Sequence, residues 1–199
     1  MRVIAGEAKG RVLQGPRGLG VRPSAARLRE SLFGILESRG AVAGRRVLDL
    51  FAGTGALGIE ALSRGAASLV SIEQAPSVAR MLRSNLERCG FAGRSEVLAA
   101  AVGTGLRRLG ARGDRFDLVL ADPPYRTGAA DDALRDLVAH GLVVPGARIV
   151  VETARGESVA APPGLGAPDD VRCYGDGQLT FFHVPAPAGR PEGSADASD

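Results

Sequence analysis

The tetrapeptide Asp122-Pro-Pro-Tyr125 is the stretch best equipped for chemistry. Its two prolines fix the backbone and donate no hydrogen bonds. The Asp122 carboxylate and the Pro123 carbonyl can aim two acceptors at one spot. Tyr125 offers a flat face on which a planar base can stack. Such a set suits an exocyclic amino group on a nucleobase. That nitrogen is a poor nucleophile because its lone pair is delocalised into the ring. Holding both N–H bonds favours a more tetrahedral nitrogen, its lone pair aimed at an electrophile, which is catalysis by positioning and electrostatics. Asp122 is also a candidate general base for the proton released. The plainer alternative is a strand-ending Pro-Pro beside a surface aspartate.

A second candidate lies about 70 residues upstream. Val47-Leu-Asp-Leu-Phe-Ala-Gly-Thr-Gly-Ala-Leu-Gly58 reads as an apolar strand, a glycine turn and the start of a helix. Glycines let the backbone approach a ligand, and the helix N-terminus presents unpaired N–H groups. Gly53-x-Gly55-x-x-Gly58, with Glu73 twenty residues after Gly53, also matches a dinucleotide fingerprint. Asp49 weighs against that reading. A carboxylate at the strand end suits a cofactor with a cationic amino-acid portion, whereas it would repel a pyrophosphate.

These residues need a scaffold. From Val47 onward, apolar strands are expected at about 46–51, 68–72, 96–100, 116–121 and 147–152, and helices at about 55–64, 76–89, 103–110 and 130–139. This alternation predicts an α/β fold with a mostly parallel sheet and helices on both faces. Ligands bind outside the carboxyl ends of such strands, so the glycine loop and Asp122-Pro-Pro-Tyr125 are expected at one crevice. Pro145-Gly146 reads as a turn before the fifth strand. Val171–Tyr174 and Leu179–Val184 flank Gly175-Asp-Gly-Gln178, which predicts a closing antiparallel hairpin. Upstream, Arg2–Ala5 and Arg11–Gln14 suggest a short β-hairpin. Pro23 and Ser24 open a helix with a stripe of Leu28, Leu32, Phe33, Ile35 and Leu36, and Ser24 is its candidate N-cap. The organisation expected is a basic arm over 1–23, one domain over 24–184 and a disordered tail over 185–199.

Charge is unevenly placed. Residues 1–46 carry ten basic and three acidic side chains, a net of +7, against −4 for the remainder of the 199 residues. That asymmetry points to a polyanion at the arm and first helix, although a solvated basic surface would look the same. No apolar run approaches the ~18 residues of a membrane helix, and no secretory h-region opens the chain. A cytoplasmic protein is expected, with Cys89 and Cys173 as reduced thiols. Neither cysteine has metal-ligand spacing, and no metal is expected.

Taken together, the motifs resemble the bacterial 16S ribosomal RNA guanine-N2 methyltransferase family, among the class I S-adenosylmethionine-dependent methyltransferases. The resemblance rests on Met1-Arg-Val-Ile-Ala-Gly with Lys9-Gly-Arg11, Arg22-Pro with Arg27–Phe33, and Leu48–Gly58 with Glu60–Ala66. Asp122-Pro-Pro-Tyr125 and Tyr174-Gly-Asp176 complete it. It covers roughly residues 1–184 and implies a Rossmann-like class I methyltransferase sheet. It implies that Asp49, Phe51, Gly53 and Gly55 hold the cofactor and that Glu73 binds the ribose hydroxyls. It further implies that Asp122 and Pro123 hold the guanine amino group while Tyr125 stacks on the base. Arg2, Lys9, Arg11, Arg17, Arg22, Arg27 and Arg29 would grip RNA. The expected partner is 16S rRNA within a small-subunit particle, bound by a monomer. One departure stands out: after strand three, where many such enzymes carry an acid for the adenine amino group, Ala99-Ala-Ala-Val-Gly offers none.

Other readings are weaker. N6-adenine or N4-cytosine DNA methyltransferases act on similar amino groups, but they often show Asn in the tetrapeptide and carry a recognition domain. A protein-glutamine methyltransferase would not call for a basic arm. A nicotinamide-linked oxidoreductase would leave Asp49 and Asp122 without a purpose. A non-catalytic RNA-binding protein would not need the intact loop and tetrapeptide.

Overall fold

The computed structural model describes residues 1–15 and 23–185, apart from the side chains of residues 23–25. Arg17, Arg22, the capping role of Ser24 and the tail from 186 onward therefore lie outside the described residues. The elements are α1 (Pro23–Ser38), β1 (Arg46–Leu50), α2 (Ala56–Ser63), β2 (Ser68–Glu73), α3 (Pro76–Cys89), β3 (Ser95–Ala99), α4 (Val102–Ala111), β4 (Phe116–Ala121), α5 (Ala129–Ala139), β5 (Val143–Ala154), β6 (Asp170–Tyr174) and β7 (Gly177–His183). Seven strands form one sheet in the order β3-β2-β1-β4-β5-β7-β6. The first five are parallel. β7 runs antiparallel between β5 and β6, closing the sheet with the expected hairpin. β1 lies beside β4, with Leu50 opposite Ala121, so the glycine loop and the tetrapeptide leave neighbouring strand ends.

Strand alternation explains why both faces are covered. Leu118 and Leu120 point into one apolar cluster, with Phe33 and Leu36 of α1, Ile59 and Leu62 of α2, and Leu82 and Leu86 of α3. Val119 and Ala121 point into the other, with Leu106 and Leu109 of α4 and Leu134 and Leu137 of α5. Each such leucine or phenylalanine contributes on the order of 1.5–3 kcal/mol when buried. α3 shows its sequence logic plainly: Pro76 stands in its first turn, and Gly90 ends it in the left-handed region at φ 84°.

Two expectations need revision. Pro145-Gly146 does not precede the fifth strand. It lies within β5 as an irregularity, where the pairing jumps from Phe116–Val143 to Leu118–Arg148; proline cannot donate to a regular ladder. The two expected N-terminal strands reduce to a single antiparallel bridge, Arg2 to Val12, around a turn. Val3, Ala8 and Leu13 nevertheless join the core cluster beneath α1–α3.

Candidate active site

β1 delivers the glycine loop. Its exit is strained: Phe51, a non-glycine residue, sits at φ 59°, and Gly53 and Gly55 follow at 54° and 85°. A left-handed phenylalanine costs roughly 1–2 kcal/mol, and such strain persists where the surroundings fix it. A Cβ on Gly55 would come within 2.2 Å of Leu82 Cδ1, and one on Gly58 within 2.7 Å of Leu69. These two glycines therefore seat α2 against α3 and β2. The dinucleotide-like spacing reflects close packing as much as ligand approach.

The carboxylates round this loop are held by backbone. Asp49 is buried beneath it, and its Oδ2 accepts from the Gly58 N–H at 3.0 Å. Its Oδ1 is buried, with no hydrogen-bond partner among the described residues. Burial, opposed by the Gly58 N–H and reinforced by Glu73, pushes the Asp49 pKa up to about 7. Glu73 ends β2. Its Oε2 accepts from the Gly53 N–H at 2.9 Å and its Oε1 from the Ala75 N–H at 2.7 Å. Glu73 thus clamps the loop to the next strand.

β4 delivers Asp122-Pro-Pro-Tyr125. Phe51, Glu73, Gln74, Val102, Asp122, Pro123, Pro124 and Tyr125 line one cleft of about 810 Å³. Asp122 is exposed to this opening, while the surrounding protein partly desolvates its carboxyl. Burial first, then the carboxylates of Glu152 and Asp49, push its pKa up to about 7. Tyr125 is 41% exposed, and its hydroxyl donates to Glu152 Oε1 at 3.0 Å. Burial also raises the Glu152 pKa, while the Tyr125 hydroxyl and the Arg29 guanidinium oppose the shift.

The structure thus brings Phe51, Glu73, Asp122, Pro123 and Tyr125 to one opening. Asp49 lies under the loop rather than on the cleft wall. Gln74 and Val102, on the cleft wall, and Glu152, bonded to the Tyr125 hydroxyl, belong to none of the sequence motifs. Glu152 could have been found, since it ends the expected strand 147–152 and a parallel strand next to β4 delivers its last residues to the same crevice.

The basic residues divide. Arg2, Lys9, Arg11 and Arg27 are exposed. Arg29, expected to meet RNA, is only 5% exposed. It donates to the Arg2 carbonyl at 2.9 Å and to Met1 Sδ, and lies 3.9 Å from Glu60. A guanidinium so enclosed braces the arm from inside. Glu60 completes the attachment, accepting from the Ile4 and Ala5 N–H groups at 2.8 and 3.0 Å.

Strand order, glycine loop and tetrapeptide at one crevice define a class I methyltransferase. The comparisons agree with that class. The family model described as conserved hypothetical protein 95 matches residues 1–183, and the chain belongs to that family. It is 36% identical to ribosomal RNA small subunit methyltransferase D of Escherichia coli K12, over 77% of this chain and 74% of that protein. The Haemophilus influenzae protein of the same name is 32% identical over 81% and 83% of the two chains. The solved structure of Escherichia coli yhhF, described as a candidate methyltransferase, superposes with a TM-score of 0.82 at 31% identity, covering 94% of this chain and 99% of that one. Among the described residues no helix is long and apolar enough to cross a membrane, and no cluster of His, Cys, Asp and Glu could hold a metal ion.

Proposed function

We propose that this protein methylates the 2-amino nitrogen of a guanine in small-subunit ribosomal RNA, with S-adenosylmethionine as methyl donor. The observation that carries the reading is the shared cleft. Phe51 and Glu73 from the glycine-loop side face Asp122, Pro123 and Tyr125 across one opening. The residues fit the cofactor on a structural test: Asp49 keeps a buried oxygen that has no hydrogen-bond partner among the described residues, an acceptor that a donor on the cofactor would satisfy. When bound, S-adenosylmethionine supplies a methyl group activated by its sulfonium.

The chain's own residues supply the rest. Asp49, Gly53 and Gly55 hold the amino-acid portion, and Glu73 accepts from the ribose hydroxyls with the lone pairs its backbone bonds leave. The target guanine, unstacked from its helix, rests on Tyr125. Asp122 and the Pro123 carbonyl accept its two amino hydrogens and aim the nitrogen lone pair into the cleft. With a pKa near neutrality, Asp122 is poised to take the proton lost from nitrogen once methyl transfer has made it acidic. The exposed Arg2, Lys9, Arg11 and Arg27, together with Arg17 and Arg22, contact phosphates. The substrate proposed is a folded small-subunit particle, met by a cytoplasmic monomer. The name shared by the Escherichia coli and Haemophilus relatives supports the RNA class.

Two measurements test this together. Calorimetry on the purified protein should show stoichiometric binding of S-adenosylmethionine. Mass spectrometry of ribosomal RNA from cells lacking the protein should show the loss of one N2-methylguanosine from the small subunit. Unchanged modification at every small-subunit guanine would rule the reading out.

A further inference from the structure

We propose that Glu152 is a second acceptor for the target base, taking the ring N1–H of guanine and so setting the choice of guanine over other amino-bearing bases. This deepens the proposed function and rests on it. The pairing of β4 with β5 ends at Ala121 opposite Val151. The residue after each member of that last pair is a carboxylate: Asp122, just past the end of β4, and Glu152, inside β5, which runs on to Ala154 beside β7. Glu152 lies at the tip of the ring on which the base stacks, its Oε1 held by the Tyr125 hydroxyl. Its Oε2 makes no hydrogen bond among the described residues. Glu152 is half-buried, so that oxygen retains access to a ligand.

Base chemistry explains why two acids should stand there. Guanine presents N1–H and the 2-amino hydrogens on adjacent atoms, a continuous run of donors. Adenine and cytosine instead flank their amino group with a ring nitrogen that accepts. Opposite Glu152, such a nitrogen would set lone pair against carboxylate, leaving a desolvated acceptor unsatisfied. A site built to accept from a donor rejects the analogue lacking that donor. Asp122 alone, with the Pro123 carbonyl, would hold any exocyclic amino group; a neighbouring acceptor makes the choice. Burial raises the Glu152 pKa, and the Tyr125 hydroxyl and the Arg29 guanidinium oppose that shift, favouring the ionised form that accepts through both oxygens.

The experiment uses the full-length protein and small-subunit particles, or RNA shown to be a substrate, carrying guanine or 2-aminopurine at the target. 2-Aminopurine keeps the amino group and lacks the N1–H. The unaltered protein should methylate guanine with kcat/KM at least ~30-fold above 2-aminopurine, the range of a charge-assisted hydrogen bond. Glu152→Gln, which can still accept from Tyr125, should lower the guanine rate and shrink that ratio at least ~10-fold, because its amide can donate to the ring nitrogen. Tyr125→Phe removes the hydroxyl bond and should leave the ratio within ~3-fold. A Glu152→Gln protein that folds, methylates guanine slowly and keeps the full ratio would overturn the inference, showing that Glu152 only steadies Tyr125. If the unaltered protein methylates no guanine substrate, the proposed function falls and takes this inference with it.

Discussion

Asn85 and Gln14 exchange two hydrogen bonds: the Asn85 Oδ1 accepts from the Gln14 N–H at 2.8 Å, and its Nδ2 donates to the Gln14 carbonyl at 3.0 Å. The same Nδ2 donates to the carbonyl of Thr54, inside the glycine loop, at 3.0 Å. One fully buried amide on α3 therefore ties Gln14 of the basic arm to the glycine loop. Asn85→Ala should cost about 2 kcal/mol, since it leaves three backbone groups short of a partner. Because both segments share this anchor, RNA and cofactor affinities should fall together, each by ~5- to 10-fold. Parallel titrations with RNA and with S-adenosylmethionine would decide it. Lowered thermal stability with both affinities intact would show the link to be structural alone.

The near end of the arm is fixed at Gly6. It stands at φ 81°, and a Cβ there would lie 1.7 Å from the Ser63 carbonyl oxygen. Backbone cannot yield that far. The Glu7 and Ala8 N–H groups, which donate to the Ser63 carbonyl at 2.8 Å and hydroxyl at 3.0 Å, would be pulled away with it. Gly6→Ala should therefore detach the first residues, expose Val3 and Ala8, and destabilise by about 2–4 kcal/mol. Limited proteolysis should cut within residues 1–15 faster than in the parent protein. RNA affinity should fall while S-adenosylmethionine affinity stays within ~3-fold. An arm equally protected from protease would count against this account.

Much of this was legible in the sequence because it is written in local chemistry. Glycine and proline mark turns by their backbone limits, and the alternation of apolar strands with helical patterns dictates a parallel sheet. The closing hairpin followed from Gly175-Asp-Gly. The long-range anchors were not legible. Asn85, Glu60 and Ser63 lie on helices whose pattern gives no sign that their polar atoms serve the backbone of a segment 55–71 residues away. Arg29 shows the converse. Its charge and its place near a helix start suggested a polyanion, but three-dimensional packing turned it inward onto Glu60 and the Arg2 carbonyl. The placing of Asp122 and Glu152 on neighbouring segments, one residue beyond the Ala121–Val151 pair, needed only the strand order and register, and was within reach.

Asp122 predicts a pH limb. Burial and the neighbouring carboxylates of Glu152 and Asp49 raise its pKa to about 7. It is therefore largely protonated at pH 6, where it can no longer take the proton that the amino group releases. kcat/KM should climb nearly tenfold per pH unit below 7 and level off above it. Asp122→Asn should lower the plateau at least ~100-fold and abolish the limb. Glu152→Gln removes a like charge and should shift the limb to lower pH, whatever it does to the rate. A flat profile from pH 5.5 to 8 in the parent protein would exclude Asp122 as the titrating group.

Asp49 should show function bought with stability. Burial raises its pKa to about 7 in the folded protein, with the Gly58 N–H opposing and Glu73 adding to the shift. The unfolded chain releases the same proton near pH 4. The folded state thus binds the proton more tightly, so this group's contribution is fully present below pH ~4 and is lost as pH rises through 7. Asp49→Asn can keep the acceptor for Gly58 without the buried charge. The empty variant should melt several degrees above the parent at pH 8 and close to it at pH 4. It should also bind S-adenosylmethionine at least ~100-fold more weakly, because an amide cannot answer the cofactor's cationic ammonium with a negative charge. Melting curves at the two pH values, each with and without cofactor, separate the two effects. Equal melting at pH 8 would mean that Asp49 is not a strained charge. Undiminished cofactor affinity would remove it from the cradle.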